Sequence, residues 1–126
     1  MTNEVQSSNS KKYDLEERTA KFGENVINFS KNIDKNPINN PLVSQIIRSS
    51  TSIGANYMEA DGAESKKDFY HKIAICKKES KETRHWLRMM AVANENKKEE
   101  CRNLWQEAQE LSLIFSSILR SVKHQD

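Results

Sequence analysis

The sequence predicts an all-α fold, an antiparallel up-down-up-down four-helix bundle, and three observations carry that prediction. Glycine and proline are scarce, at three and two of 126 residues, which starves a sheet of its turns. Charged residues make up 30% of the chain, enough to solvate the outer faces of helices. Four segments of helical apolar periodicity, each of roughly 20 to 27 residues, are joined by short links that leave little choice but antiparallel neighbours.

The first segment follows a polar, aperiodic start. Residues 1–13 read as a flexible N-terminal arm and residues 14–126 as the bundle domain. Asp14 and Glu17 form a capping-box pattern, and Leu15, Phe22, Val26, Phe29 and Ile33 recur at spacings of seven, four, three and four. Asn36-Pro37 and Asn39-Asn40 end this helix by about Lys35, because the residue before a proline avoids the α region.

The second helix is expected to open on Asn40 as N-cap with Pro41 at its first position, where a missing N–H costs nothing. Its apolar stripe is Leu42, Ile46, Ile53 and Tyr57, and it ends at Asp61-Gly62. Ser65 caps the third helix with Asp68 at the capping-box position. The seam behind them, Phe69, Ile73, Cys76, Ser80, Thr83, Leu87 and Met90, alternates by four and three without a break. Asn96 and Glu99 start the fourth helix, in which Leu104, Ala108, Leu111, Phe115, Ile118 and Val122 continue the same alternation.

The second helix carries an unusual surface. Between Pro41 and Ala60 the only charged residues are Arg48 and Glu59. Beside its apolar stripe lie Gln45, Arg48, Ser52, Asn56 and Glu59, all within about 80° of arc at 100° per residue. The small residues Ser49, Ser50, Ser52, Gly54 and Ala55 allow another helix to approach closely, and buried polar groups need partners. Glu79, Glu82 and Trp86 flank the core seam of the third helix and complete a candidate oligomer interface, with either glutamate placed to pair with Arg48 within or between subunits.

The third helix is also the basic one. Eight Lys and Arg against three Asp and Glu between Ser65 and Met90 leave a net +5, in a chain whose total is only +2. Lys66, Lys67, Lys77, Lys78, Lys81, Arg84 and Arg88 make a candidate contact for RNA or DNA, although nothing within one protomer supplies a row of exposed aromatics for stacking bases, which weakens the single-strand version.

Residue types for catalysis are poorly placed. A di-iron bundle needs two Glu-x-x-His motifs, and Glu82-Thr83-Arg84-His85 is the one copy, with Thr83 on the core seam turning Glu82 and His85 away from it. His71 and His85 share a surface with Lys78 between them, and His124 lies in the C-terminal tail. Cys76 reads as a buried inert thiol and Cys101 as a surface one, both reduced. No catalytic, cofactor or metal site is therefore expected, nor a small-molecule substrate. With neither a signal peptide nor a membrane span in the pattern, a cytoplasmic location is expected.

From Pro41 to Met90 the chain resembles the bacterial four-helix-bundle family of the 23S rRNA intervening sequence protein. The pattern Gln-x-x-Arg, a small-residue run, Ser-Ile-x-x-Asn-x-x-Glu, then Ser-x-x-Asp-Phe falls here on Gln45, Arg48, Ser52, Ile53, Asn56, Glu59, Ser65, Asp68 and Phe69. The chain departs from the family in having Glu59-Ala60-Asp61-Gly62 for Glu-Gly, and Glu79-Ser80-Lys81-Glu82 without the family's preceding glycine. The resemblance implies a ring-shaped homopentamer without enzymatic activity. Members of the family include the accessory variability protein of diversity-generating retroelements, which is strongly basic and thought to bind nucleic acid and a reverse transcriptase. A chain at +2 does not share that charge, so that partner is not carried over. The expectation is a non-enzymatic, homo-oligomeric scaffold whose principal partner is itself, with an RNA- or DNA-binding accessory module as the alternative.

Overall fold

Four helices account for the computed structural model, which describes residues 3–125, with side chains from residue 14 to residue 121. They are α1 (Asn3–Lys31), α2 (Asn39–Asp61), α3 (Lys66–Ala93) and α4 (Lys98–Gln125), with a single 3-10 turn at Glu95–Lys97 leading into α4. Each helix packs on the next, and α1 meets α4 to close the bundle. Neighbours run antiparallel. As numbers rise along α3 through Lys72, Cys76 and Thr83, their α2 partners fall through Glu59, Ile53 and Ser49.

The core is the one that the periodicity predicts. Phe22 and Val26 of α1, Ile46 and Ile53 of α2, Ile73, Leu87 and Met90 of α3, and Ala108, Leu111 and Phe115 of α4 are all buried. Leu42, Phe69, Leu104 and Ile118, toward the helix ends, are half-buried. The Val122 side chain lies outside the described residues. Among the described residues no helix is long and apolar enough to cross a membrane.

Polar residues line the contact between α2 and α3. Ser49, Ser80 and Thr83 are fully buried there, and short side chains let the two helices pack closely. Ser49 and Thr83 share a hydroxyl–hydroxyl hydrogen bond of 2.8 Å, and the Ser80 hydroxyl donates to the Cys76 carbonyl at 2.8 Å. The contact between α1 and α4 is slimmer. Arg18 spans it, donating to both oxygens of Glu107 at 2.7 and 2.9 Å and to Glu110 at 2.7 Å.

The helix starts show where local patterns mislead. α1 is helical from Asn3, so Asp14 lies inside it and caps nothing; residues 3–12 contain neither glycine nor proline to stop the helix. The arm expected over residues 1–13 thus meets helical backbone from Asn3, with its side chains outside the described residues. For α2 the cap is Asn36 rather than Asn40. The Asn36 carboxamide oxygen accepts from the N–H groups of Ile38 and Asn39 at 3.0 and 2.7 Å, and the Asn36 carbonyl accepts from Asn40 N–H at 2.9 Å. Two Asn-Pro-type starts were available, and the earlier one wins because its turn leaves the donors facing Asn36. Asn39 is instead buried in a reciprocal amide pair with Asn94, at 3.0 and 2.9 Å, which ties the α1–α2 loop to the α3–α4 loop. The Ser65 cap is as expected, its hydroxyl accepting from Asp68 N–H at 3.0 Å.

Burial leaves three acids reluctant to ionise. Desolvation pushes the Cys76 thiol up to about 12, Cys101 up to about 11 and the Tyr57 hydroxyl up to about 12. A folded-state value above the unfolded one stabilises the fold below the unfolded pKa and stops doing so as pH rises through the folded one. Stability should therefore be flat to about pH 8 and fall between about pH 9 and 12 as the unfolded chain releases these protons first. Urea titrations at pH 7, 9 and 10 check this, and an unchanged midpoint would contradict the burial of these groups. Thiol labelling should likewise proceed only through unfolding.

Candidate functional site

The two surfaces singled out in the sequence lie on opposite flanks of α3. On the flank toward α2, Arg48 is the hub. Its guanidinium donates to Gln45 at 3.1 Å, to Glu79 at 3.3 Å and also to Glu82. Glu82 also accepts from the Trp86 indole N–H at 2.9 Å. Five side chains thus form one connected cluster within a single chain, with Glu79 only 8% exposed. Farther along the seam the Asn56 amide donates to the Ser52 carbonyl and hydroxyl, both at 2.9 Å, and Lys72 donates to Glu59 at 2.7 Å. The Glu59 carboxylate raises the Lys72 ammonium above its ordinary value.

All eight candidate interface residues, Gln45, Arg48, Ser52, Asn56, Glu59, Glu79, Glu82 and Trp86, therefore sit on the α2–α3 seam. Ser52, Asn56, Glu82 and Trp86 are half-buried there, while Gln45, Arg48 and Glu59 are exposed at its rim. The pairing of Arg48 with both glutamates is intramolecular. Both charged residues of α2 between Pro41 and Ala60 are consequently neutralised by α3, and the seam presents polar but paired groups.

The other flank of α3 is cationic. Lys66, Lys67, Lys77, Lys78, Lys81, Arg84 and Arg88 fall within about 120° of arc, away from the arc of Glu79 and Glu82. Lys77 and Arg84 are half-buried and the other five exposed. Arg84 is held against α4, donating to Gln109 and lying over the Trp105 ring at 5.5 Å from its centroid.

Packing adds to this flank residues that the sequence reading passed over. A shallow groove of about 220 Å³ between α3 and α4 is lined by Leu87, Arg88, Ala91, Lys98, Cys101, Arg102 and Trp105, with no acidic side chain in its wall. Trp105 is 37% exposed. The signal was present in the spacing of Lys98, Arg102, Trp105 and Gln109, one stripe of α4. It is lost when charge is summed helix by helix, because α4 also carries Glu107 and Glu110, and these face α1 through Arg18.

Two of the residues with catalytic potential, Cys76 and Glu82, are engaged in packing or pairing. Cys76 is buried on the core seam, and its raised pKa keeps it protonated and unreactive at neutral pH. Cys101, expected at the surface, is 2% exposed, because the α3–α4 contact closes over it and desolvates it. Glu82 is committed to Arg48 and Trp86, while His85 is exposed and packs edge-on against Trp86 at 5.0 Å between ring centroids. His71 is exposed, and the His124 side chain lies outside the described residues. Among the described residues no three His, Cys, Asp or Glu side chains are grouped to hold a metal ion.

Comparison with known proteins agrees with the reading of α2 and α3. A family model described as 23S rRNA-intervening sequence protein matches residues 11–117. Among solved structures, a protein of unknown function from the S23 ribosomal protein family of Bacteroides thetaiotaomicron VPI-5482 is similar with a TM-score of 0.73 and 29% identity, over 83% of this chain and 97% of that one. No curated protein matches.

Proposed function

Since the chain belongs to the 23S rRNA-intervening sequence protein family, we propose that it acts in the cytoplasm as a non-enzymatic, homo-oligomeric binding protein, assembled through the α2–α3 seam. The observation that carries this reading is that the charges of the seam are paired within the chain, Arg48 with Glu79 and Glu82, and Glu59 with Lys72. Burying an unpaired charge in an interface is costly, whereas Arg48 and Glu59 already hold their counter-charges within the chain. A second copy covering the seam strips water from paired groups and covers half-buried Trp86 and Met89 as well. A pentameric ring is the assembly that the family resemblance favours. The two buried, protonated thiols support a role without covalent chemistry.

The test is absolute mass by light scattering at low and high salt. The expected result is about five times the 14.6 kDa chain mass, and a 14.6 kDa species at every concentration would refute assembly. Ser52→Lys puts a new charge on the seam at a half-buried position where a long side chain still reaches water in the monomer. It should give the 14.6 kDa species with unchanged helicity; an intact oligomer would place the interface elsewhere.

A second reading, an RNA- or DNA-binding accessory module, is favoured by the opposite placement of the basic flank. Lys66, Lys67, Lys77, Lys78, Lys81, Arg84 and Arg88 lie on the side of α3 away from the seam, so assembly through the seam leaves them accessible. Repetition of a weak phosphate contact around an oligomer raises its avidity.

A further inference from the structure

We infer that the groove between α3 and α4 is a binding site for single-stranded nucleic acid, in which a base stacks on Trp105 and the flanking phosphates meet Arg88, Lys98 and Arg102. This rests on the second reading above and locates it: the site belongs to two helices, and its centre is an aromatic residue of α4.

Three independent features converge there. The first is charge. The polar wall of the groove is cationic, contributed by Arg88 from α3 and by Lys98 and Arg102 from α4, while the glutamates of α4 that pair with Arg18 are turned to the far side of the bundle. A wall of one sign concentrates a polyanion and makes its affinity fall steeply with salt. The second is the ring. Trp105 keeps 37% of its surface in water, although an indole on a bundle could bury far more. Base–aromatic stacking on an exposed ring tolerates any sequence, because every base has a π face. The third is preorganisation. Arg84 lies over Trp105 at 5.5 Å and is anchored by Gln109, so the ring and one cation are already oriented, while the Arg84 Nε is buried without a hydrogen-bond partner.

Shape separates a single strand from a duplex. The groove is about 220 Å³, enough for a base with part of its backbone and too small for a double helix, whose stacked bases present no free face to Trp105. An acidic peptide would satisfy the cations but not the exposed indole.

The experiment uses the full chain and three probes at low salt: a labelled single-stranded RNA twelve nucleotides long, the same sequence as a duplex, and inorganic polyphosphate of matched charge. The single strand should bind more tightly than the duplex. Trp105→Leu should weaken it by about 5- to 100-fold, while leaving polyphosphate binding within twofold. Arg102 is exposed, so Arg102→Glu should leave folding intact and weaken both the RNA and polyphosphate by at least tenfold. If Trp105→Leu proves unstable, Arg102→Glu still decides whether the groove is used. RNA binding that ignores both variants but is lost when Lys77, Lys78 and Lys81 become glutamate would overturn the groove and keep the basic-flank reading. No binding of any anion would overturn both. A fall in the mass of the protein alone on Trp105→Leu would make a second copy the occupant, and the inference wrong.

Discussion

Arg48→Glu is expected to lower the stability of the folded chain by about 2–3 kcal/mol, below the full cost of breaking a buried ion pair because nearly half of the Arg48 side chain faces water. Reversal leaves three carboxylates where one cation had joined two. Glu79, at 8% exposure, cannot reach solvent freely. For a chain of this length the Tm should drop by about 6–15 °C. The pH dependence identifies the cause. Crowded carboxylates take up protons more readily in the folded state than in the unfolded one, so the defect should shrink as pH falls below about 5 and be complete at pH 7. Thermal melts at pH 4.5 and 7 decide it: equal losses at both would mean that lost packing, not charge, is responsible. Pairing Arg48→Met with Glu79→Gln should recover most of the loss. Arg48→Glu should also break the proposed oligomer, but only Ser52→Lys separates assembly from folding, since Arg48 serves both.

Leucine at Ser49 should cost a similar or larger amount, about 2–4 kcal/mol. Ser49 has no exposed surface, and the added methine and two methyl groups have no room between α2 and α3, an overpacking penalty of about 1–3 kcal/mol. The substitution also removes the 2.8 Å hydrogen bond to Thr83, worth about 1 kcal/mol. Ser49→Ala isolates that second part and should lose only about 1 kcal/mol. Urea titration of both variants should show a lower midpoint at an unchanged slope. A Leu variant as stable as the Ala variant would mean that the helices separate easily, contrary to the direct contact of Ser49 with Thr83.

Much of the candidate site was legible because charge depletion and angular position are properties of one helix. Gln45, Arg48, Ser52, Asn56 and Glu59 share an arc of α2 whatever packs beside it, and the small buried residues next to them announce a close helix contact. Which partner Arg48 would take was not legible. A single chain satisfies it with Glu79 and Glu82, because antiparallel packing puts the midpoint of α2 beside that of α3. Trp105 was missed for a related reason: its neighbours Arg84 and Arg88 lie on another helix, and its own helix reads as mixed in charge.

The amino-acid sequence by itself determined the four helices, the residues of the core seams, the Ser65 cap and the family, since each depends on spacing within a few turns of one segment. The tertiary structure decided the rest. It selected Asn36 over Asn40 as the cap of α2, buried Cys101, joined Asn39 to Asn94, kept Arg48 within its own chain, and added Trp105, Arg102 and Lys98 to the basic flank of α3. These outcomes depend on how far each helix is rotated and slid against its neighbour, and a helix's own period leaves both quantities free until the side chains of two helices interlock.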